Sequence, residues 1–414
     1  MAAARRPWPP SLFLYRLGIL VYTLAIRIAA LWNAKARERM RWLRNQHVRR
    51  PEARTVLWVH CASVGEFEQA RPVIEGWRGP DRAVVVTIFS GSGLARAGTW
   101  RAVADAVYAL PPDRPCTVRS FVDDLRPDLF LNIRYEHWYE LLTELERRHI
   151  PTVLVAATVR PGQPMLRRGR LFSVLRTSLA RYTAILARDT ASAQALARAG
   201  FDATVGGDPR ADRVRIIART TPPHPDLAAF GQRFRVLVAG STWPADDAVL
   251  ARWWRTRSHD TDAVLIAPHD VTPSRVAAIE HRFPEAVRFT DGISPHHRVV
   301  ILDTTGMLAA CYGMGTWAWV GGGFGHSVHN VLEAAVHQVP VFFGPNHHKQ
   351  REAGDLADIG GARVVQRSDD LLLPAPDSAD YAHMARSAGA LVQANSGATD
   401  RIVSTIEALH ESKG

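Results

Sequence analysis

Cysteine is scarce in this sequence: 414 residues include three, Cys61, Cys116 and Cys311. None belongs to a Cys-x-x-Cys pair or stands at metal-ligand spacing, which excludes a disulfide framework and a thiolate zinc site. A reducing compartment fits, with core packing as the role of the thiols. Low-complexity tracts and internal repeats are also missing, so disorder is not expected away from the termini. No Asp-x-Asp pair follows a strand. His326 and His329 lack further ligands that would converge with them, and no Ser-His-Asp or Cys-His arrangement stands out. A metal-free chemistry without a cofactor is the reading these absences favour.

What is present is apolar and basic. Hydrophobic residues make up 47% of the chain and the formal net charge is +11. The length predicts two domains. The charge suits an anionic partner: nucleic acid, an acidic membrane face or a phosphorylated substrate. Plain solubility is the blander explanation. No basic–aromatic platform or recognition motif for nucleic acid is visible, so a nucleic-acid partner is not expected.

The positive charge lies beside an apolar run. Ser11 to Trp32 reads SLFLYRLGILVYTLAIRIAALW, interrupted by Arg16 and Arg27. A basic, helix-favouring stretch follows with Lys35, Arg37, Arg39, Arg41, Arg44, Arg49 and Arg50. A span needs ~20 apolar residues, so the segment either crosses the bilayer with snorkelling arginines or lies along its surface. A buried core helix is the structural alternative. In either membrane reading the flanking charge predicts the cytoplasmic side.

From Thr55 onward, short apolar runs alternate with helical stretches. Strands are predicted at 56–63, 83–89, 128–133, 152–158 and 182–188, then at 235–240, 263–268, 299–303, 317–322 and 339–344. This β–α alternation implies parallel sheets covered on both faces. The fold class is α/β: two Rossmann-like, doubly wound domains facing each other across a cleft, preceded by a membrane-associated helix. The expected divisions are a membrane-associated segment at 1–50, an N-terminal domain at 51–219, a linker at 220–233 and a C-terminal domain at 234–414. The last helix, about 380–409, is expected to pack back on the first domain. Ligands should lie at the C-terminal ends of the strands.

Candidate residues follow from that rule. Glu66 stands in the turn after the first strand, where it is either a cleft carboxylate or an acid that complements a helix dipole. Glu136 lies just past the strand at 128–133, and a solvated helix-start acid is its plainer reading. Arg210, in Asp208-Pro209-Arg210, faces either a phosphate or the solvent. The run Gly321-Gly322-Gly323-Phe324-Gly325 leads to Asn330 and a predicted helix, a place where backbone and helix N-terminus can receive a phosphate. Glu333 is placed to accept hydrogen bonds from ribose hydroxyls. The loop follows a late strand, which argues against a dinucleotide site.

Together these motifs resemble the 3-deoxy-D-manno-octulosonic acid (Kdo) transferases, glycosyltransferase family 30. The resemblance is carried by WVHCASVGEFEQARPVI, LRPDLFLNIRYEHW, VGGDPRADRV, VLVAGSTWPADD and the long stretch from ILDTTGM to QREAGDL. It implies the two-domain GT-B fold and inverting, metal-independent transfer of Kdo from CMP-Kdo to a lipid A precursor during lipopolysaccharide assembly. It places the enzyme at the cytoplasmic face of the inner membrane, on acidic lipids. By motif, Glu66 matches the general base, and Glu136 and Arg210 match residues that stabilise the transition state. Pro268, His269, Thr305, Gly306, Met307, Asn330, Val331, Leu332 and Glu333 match the CMP-binding segments. Arg160, Arg167, Arg168 and Arg170 suit a phosphorylated lipid. The sequence departs from the family pattern at Arg134, usually an acid, at Asp208, usually an asparagine, and before His269, where an arginine is missing. A related enzyme using another nucleotide sugar or lipid, or an inactive membrane-docked scaffold, are the competing readings.

Overall fold

The computed structural model describes residues 8–134, 136–159 and 162–412. The chain forms two compact units. One runs to Arg213 and is rejoined by the chain from Ser396; the other is Val214–Asn395.

Each unit is built on seven parallel strands. In the first they are β1 (Thr55–Cys61), β2 (Arg82–Ile88), β3 (Ala106–Ala109), β4 (Leu129–Ile133), β5 (Thr152–Ala157), β6 (Ala184–Ala187) and β7 (Thr204–Val205), in the order β3-β2-β1-β4-β5-β6-β7. In the second they are β8 (Arg235–Thr242), β9 (Asp262–Pro268), β10 (Val287–Arg288), β11 (Val299–Ile301), β12 (Trp317–Val320), β13 (Val341–Phe343) and β14 (Ala362–Val364), in the order β10-β11-β9-β8-β12-β13-β14. Parallel neighbours need a crossover, and the crossing helices cover both faces. β1 is therefore buried along its whole length. Leu57, Val59 and Cys61 enter one core with Phe67 and Trp77, while Val56 and Trp58 enter the other with Phe121 and Phe130.

All ten predicted strands form. The four not predicted, β3, β7, β10 and β14, are the outermost strands of the two sheets. Edge strands are two to four residues long here and carry exposed or half-exposed positions. They therefore lack the continuous apolar run that marks a strand buried on both faces.

The predicted terminal helix is two helices, Ala379–Ala394 and Ala398–Glu411. They are separated at Gly397, whose φ of +81° is a left-handed conformation suited to glycine. The first belongs to the second unit. The second packs on the helix Val64–Trp77 of the first unit, burying Ile402 and Ile406 in its core. Gly397 provides no side-chain cap. Asp212 supplies one from a distance in sequence, accepting from the N–H groups of Gly397 and Thr399 at 2.7 Å each. The 220–233 stretch, predicted as a plain linker, contains the helix Pro225–Arg233, with Pro225 in its first turn.

The apolar N-terminal segment forms the helix Leu12–Ala29, followed by the basic helix Ala34–Asn45. The first is long and apolar enough to cross a membrane, with mean hydropathy 1.7. One side of it is fastened to the first unit. Tyr15 donates to Asp113 at 2.5 Å, Arg16 pairs with Glu140 at 2.7 Å, and Tyr22 stacks on Phe89. Phe13, Leu14, Leu17, Leu20, Val21, Leu24 and Ile28 are exposed.

Asp212→Ala should cost about 1–2 kcal/mol, the usual value of a lost helix cap. Hydrogen exchange across 398–411 should accelerate before the rest of the first unit. Unchanged protection of that helix would remove Asp212 from its capping role.

Candidate active site

In an open α/β sheet, the strands on either side of the point where the order reverses send their chains to opposite faces, leaving a crevice at their C-terminal ends. In the first unit that point lies between β1 and β4; in the second it lies between β8 and β12. The candidate residues gather at these two places.

Beyond β1, the Ser63 hydroxyl caps the helix Val64–Trp77. Glu66, one turn in, folds back so that its Oε2 accepts from the N–H of Ala62. Glu66 is thus a helix-start acid, as its plainer reading had it, yet its other oxygen takes no hydrogen bond from the described residues. It is buried, with 8% of its surface exposed. Burial raises its pKa above the ordinary glutamate value, and the nearby charge of Glu136 adds to this; the Ala62 N–H, His60 and Arg134 oppose it.

Beyond β4, Glu136 is half-buried. Its Oε2 receives Nε2 of His60 at 3.1 Å and Nε1 of Trp138 at 3.0 Å. Tyr135, beside it, lies outside the described residues. Arg210 is turned onto Asp208, which accepts from its Nε at 3.0 Å and Nη2 at 2.7 Å. Asp208 also accepts from Gln69 at 2.7 Å and faces Arg134 at 3.5 Å. Burial pushes the Asp208 carboxyl up, but the charges and hydrogen bonds of Arg210 and Arg134 more than offset this and hold it at about 2. Two of the positions that depart from the family pattern, Arg134 and Asp208, therefore meet. Arg134 has a φ of +64°, a strained conformation for a non-glycine residue. The sequence reading noted Arg134 and Asp208 only as departures and missed their pairing, because nothing in the spacing of the two positions signals it.

In the second unit, Pro268 ends β9 and His269 follows it. The His269 ring stacks on both Trp243 and His329, at centroid distances of 4.7 and 4.6 Å. Trp243 also donates Nε1–H to Nε2 of His329 at 3.1 Å. Trp243 was not singled out from the sequence, although it follows the β8 strand as Glu66 follows β1. Thr305 and Gly306 are exposed, and Gly306 has a φ of +89°. Met307 accepts a weak hydrogen bond from Thr304 at 3.1 Å.

The predicted helix after Asn330 is a single turn, Leu332–Ala335. Turns at 336–338 and then Val339 and Pro340 end it. A helix this short has little dipole to offer a phosphate, so that part of the expectation is corrected. Asn330 accepts from the Leu332 N–H at 3.2 Å and donates to Glu333 at 3.1 Å. Val331 and Leu332 have buried side chains and present only backbone. The glycine loop is instead held by Asp246, fully buried, which accepts from the N–H of Gly322 at 3.0 Å and of Trp243 at 2.9 Å. A Cβ on Gly321 would stand 2.3 Å from the Ser241 carbonyl oxygen, which explains why glycine is needed there.

Residues 34–213 match the family model described as 3-deoxy-D-manno-octulosonic-acid transferase (kdotransferase). The chain is 26% identical over 438 residues to a 3-deoxy-D-manno-octulosonic acid transferase of Bordetella pertussis, covering 94% of this chain and 99% of that one. The enzyme of the same name from Chlamydia trachomatis serovar A is 26% identical over 319 residues, 71% of each chain. By sequence, this chain is similar to the Kdo transferases. Its fold resembles that of the UDP-GlcNAc 2-epimerase of Neisseria meningitidis, with a TM-score of 0.61 at 16% identity over 85% of this chain and 99% of that chain. The two parallel-sheet α/β units with an N-terminal apolar helix are those expected of the GT-B class.

Because the Asp208 pKa is depressed, its contribution to stability is complete above the unfolded value near 3.8 and is lost as the pH falls towards about 2. Asp208→Asn should therefore lower stability at neutral pH and flatten the acid-induced loss between roughly pH 4 and 2. Unfolding curves that stay parallel to those of the unaltered protein across this range would contradict the ion-pair assignment.

Proposed function

We propose that this chain transfers Kdo from CMP-Kdo to a lipid A precursor, inverting the anomeric centre without a metal. The observation that carries this reading is Glu66: a buried carboxylate at the reversal point of the first sheet, with one oxygen anchored to backbone and the other taking no hydrogen bond from the described residues. A sugar hydroxyl is a poor nucleophile while protonated, and a carboxylate held in this way can take its proton during attack. Glu136 and Arg210 stabilise the developing charge. The leaving CMP already carries negative charge, which a guanidinium such as Arg210 can offset. Pro268, His269, Thr305, Gly306, Met307, Asn330, Val331, Leu332 and Glu333 hold the CMP portion.

The N-terminal helix supports a lipid acceptor and favours surface attachment over a span. Its contacts with the first unit run from Ser11 to Tyr22, so soluble protein lines more than half of its length. Arg16 is paired with Glu140 instead of facing hydrocarbon. The exposed leucines lie in the plane of the interface, as in an amphipathic anchor. Beside them, a cavity of about 820 Å³ between this helix and the next is lined by Arg27, Arg37, Arg41 and Arg44, a setting for anionic headgroups. Arg167, Arg168 and Arg170 are exposed on the same unit; Arg160 lies outside the described residues. The proposed location is the cytoplasmic face of the inner membrane, on acidic lipids.

Incubation with CMP-Kdo and a tetraacylated lipid A precursor should yield a Kdo-bearing lipid by mass spectrometry, with or without EDTA. Glu66→Gln should abolish transfer while CMP binding persists in calorimetry. The acid limb of kcat/KM should lie above the ordinary glutamate range, because the base must be ionised and burial raises its pKa. Product from a UDP-sugar and none from CMP-Kdo would overturn the donor. Full activity of Glu66→Gln would overturn the base.

Replacing Leu17, Leu20 and Leu24 together by Gln should release the protein from vesicles containing acidic lipid without unfolding it, since all three are exposed. Undiminished binding to those vesicles would rule out this helix face as the anchor.

A further inference from the structure

The sheet of the first unit contains a buried polar row that its packing does not require. β1 pairs with β2 and β4 so that Trp58 stands level with Val85 and Phe130, and the next row on that face is His60 with Thr87 and Asn132. The first row is core. The second is polar across three adjacent strands, and its members are at most 1% exposed. Burying such groups is unfavourable unless each is hydrogen-bonded, and apolar residues there would simply extend the core.

Two hydrogen bonds of this row meet at one residue. His60 Nε2 reaches Glu136 Oε2 at 3.1 Å, and Asn132 Nδ2 donates to the Glu136 carbonyl oxygen. His60 Nδ1 is 3.0 Å from Thr87 Oγ1, and that oxygen accepts from Trp58 Nε1–H at 2.9 Å. A carboxylate only accepts, so His60 Nε2 carries a proton. His60 Nδ1 faces both the Thr87 hydroxyl and, at 3.2 Å, the Thr87 backbone carbonyl oxygen, so Thr87 holds that side of the ring. Trp58, Thr87, His60 and Glu136 thus form a chain of hydrogen bonds that ends on the carboxylate. Trp138 Nε1–H meets the same oxygen at 3.0 Å. Both donors converge on Oε2, and Oε1 takes no hydrogen bond from the described residues.

We infer that His60, its ring held at Nδ1 by Thr87, is a positioning residue: its Nε2–H fixes the Glu136 carboxylate by one oxygen and presents the other to the reaction. His60 touches no substrate in this role and acts through Glu136. The inference rests on the reading of Glu136 as a residue that stabilises the transition state.

The test is a set of variants assayed for Kdo transfer, with melting temperature and CMP affinity as controls. His60→Leu should lower kcat by about 10–100-fold with KM little changed, the scale of a displaced catalytic group. His60→Gln, whose amide nitrogen can replace Nε2–H, should restore most of the rate. In the Glu136→Gln background, His60→Leu should cause no further loss, because residues acting as one unit are not additive. Nitrogen-15 spectra of His60 should show a proton on Nε2 whatever the activity. A ring without a proton on Nε2, a wild-type rate in His60→Leu, or losses that multiply in the double variant would overturn the proposal while leaving Glu136 in place. Full activity of Glu136→Gln, with Nε2 protonated as expected, would instead sink the underlying reading of Glu136 and take the positioning role of His60 with it.

Discussion

The arrangement depends on the in-register parallel pairing of β1 with β4. That pairing places the reversal of strand order between them, and with it the crevice into which both chains emerge. One residue of slip would exchange the two faces of β1. His60 would enter the aliphatic core beside Leu131 and Trp77, and Leu57, Val59 and Cys61 would face the polar side. The apolar partners on each face therefore specify the register, and the register brings His60 level with Thr87 and Asn132. A few rows of hydrophobic packing thus determine where the Glu136 carboxylate is held.

The elements most legible in the sequence were those with one dominant physical cause. Strands buried on both faces were visible as apolar runs, and the edge strands were not, since their residues answer to solvent on one side. Glu66, Glu136 and Arg210 were singled out because each lies just beyond a strand or turn. The partners that hold them were not, since His60 read as part of an apolar strand, and Asp208 as a departure from a pattern. Such roles depend on what lies across the sheet, which sequence spacing does not encode. The helix after Asn330 was overestimated for a related reason: VLEAAVHQ has helical composition, but the following Val339-Pro340 and the need to enter β13 leave room for only one turn.

Arg134 and Asp208 show how a departure from a pattern can be self-consistent. Taken singly, an arginine in place of an acid and an aspartate in place of an amide each disturb the charge of a site. Here the new anion lies beside the new cation and beside Arg210, and it is buried at 6% exposure. A buried carboxylate without those cations would be costly, and two guanidinium groups without it would repel. Arg134 sits at the end of β4 with a positive φ, and Ser241 at the end of β8 has a φ of +52°. Strained backbone thus recurs at the reversal point of both sheets, where the chain leaves the strand direction.

The N-terminal helix bears on the same chemistry through aromatic contacts. Tyr22 stacks on Phe89 at 6.1 Å, Phe89 on Trp138 at 5.3 Å, and Trp138 donates to Glu136. A helix whose outer face is apolar and whose inner face ends, three rings later, at a candidate catalytic carboxylate is more than a tether. A free anchor joined by a flexible linker would hold the protein near lipid but leave the site at any height above it. This helix is fixed to the first unit by Ser11, Tyr15 and Arg16, so on the proposed surface attachment its depth would set the height of Glu136 above the interface. For an acceptor whose acyl chains remain in the bilayer, that height decides whether a sugar hydroxyl can reach the carboxylates at all. On the proposed surface attachment, membrane binding becomes part of substrate positioning, with Tyr22, Phe89 and Trp138 as the physical link.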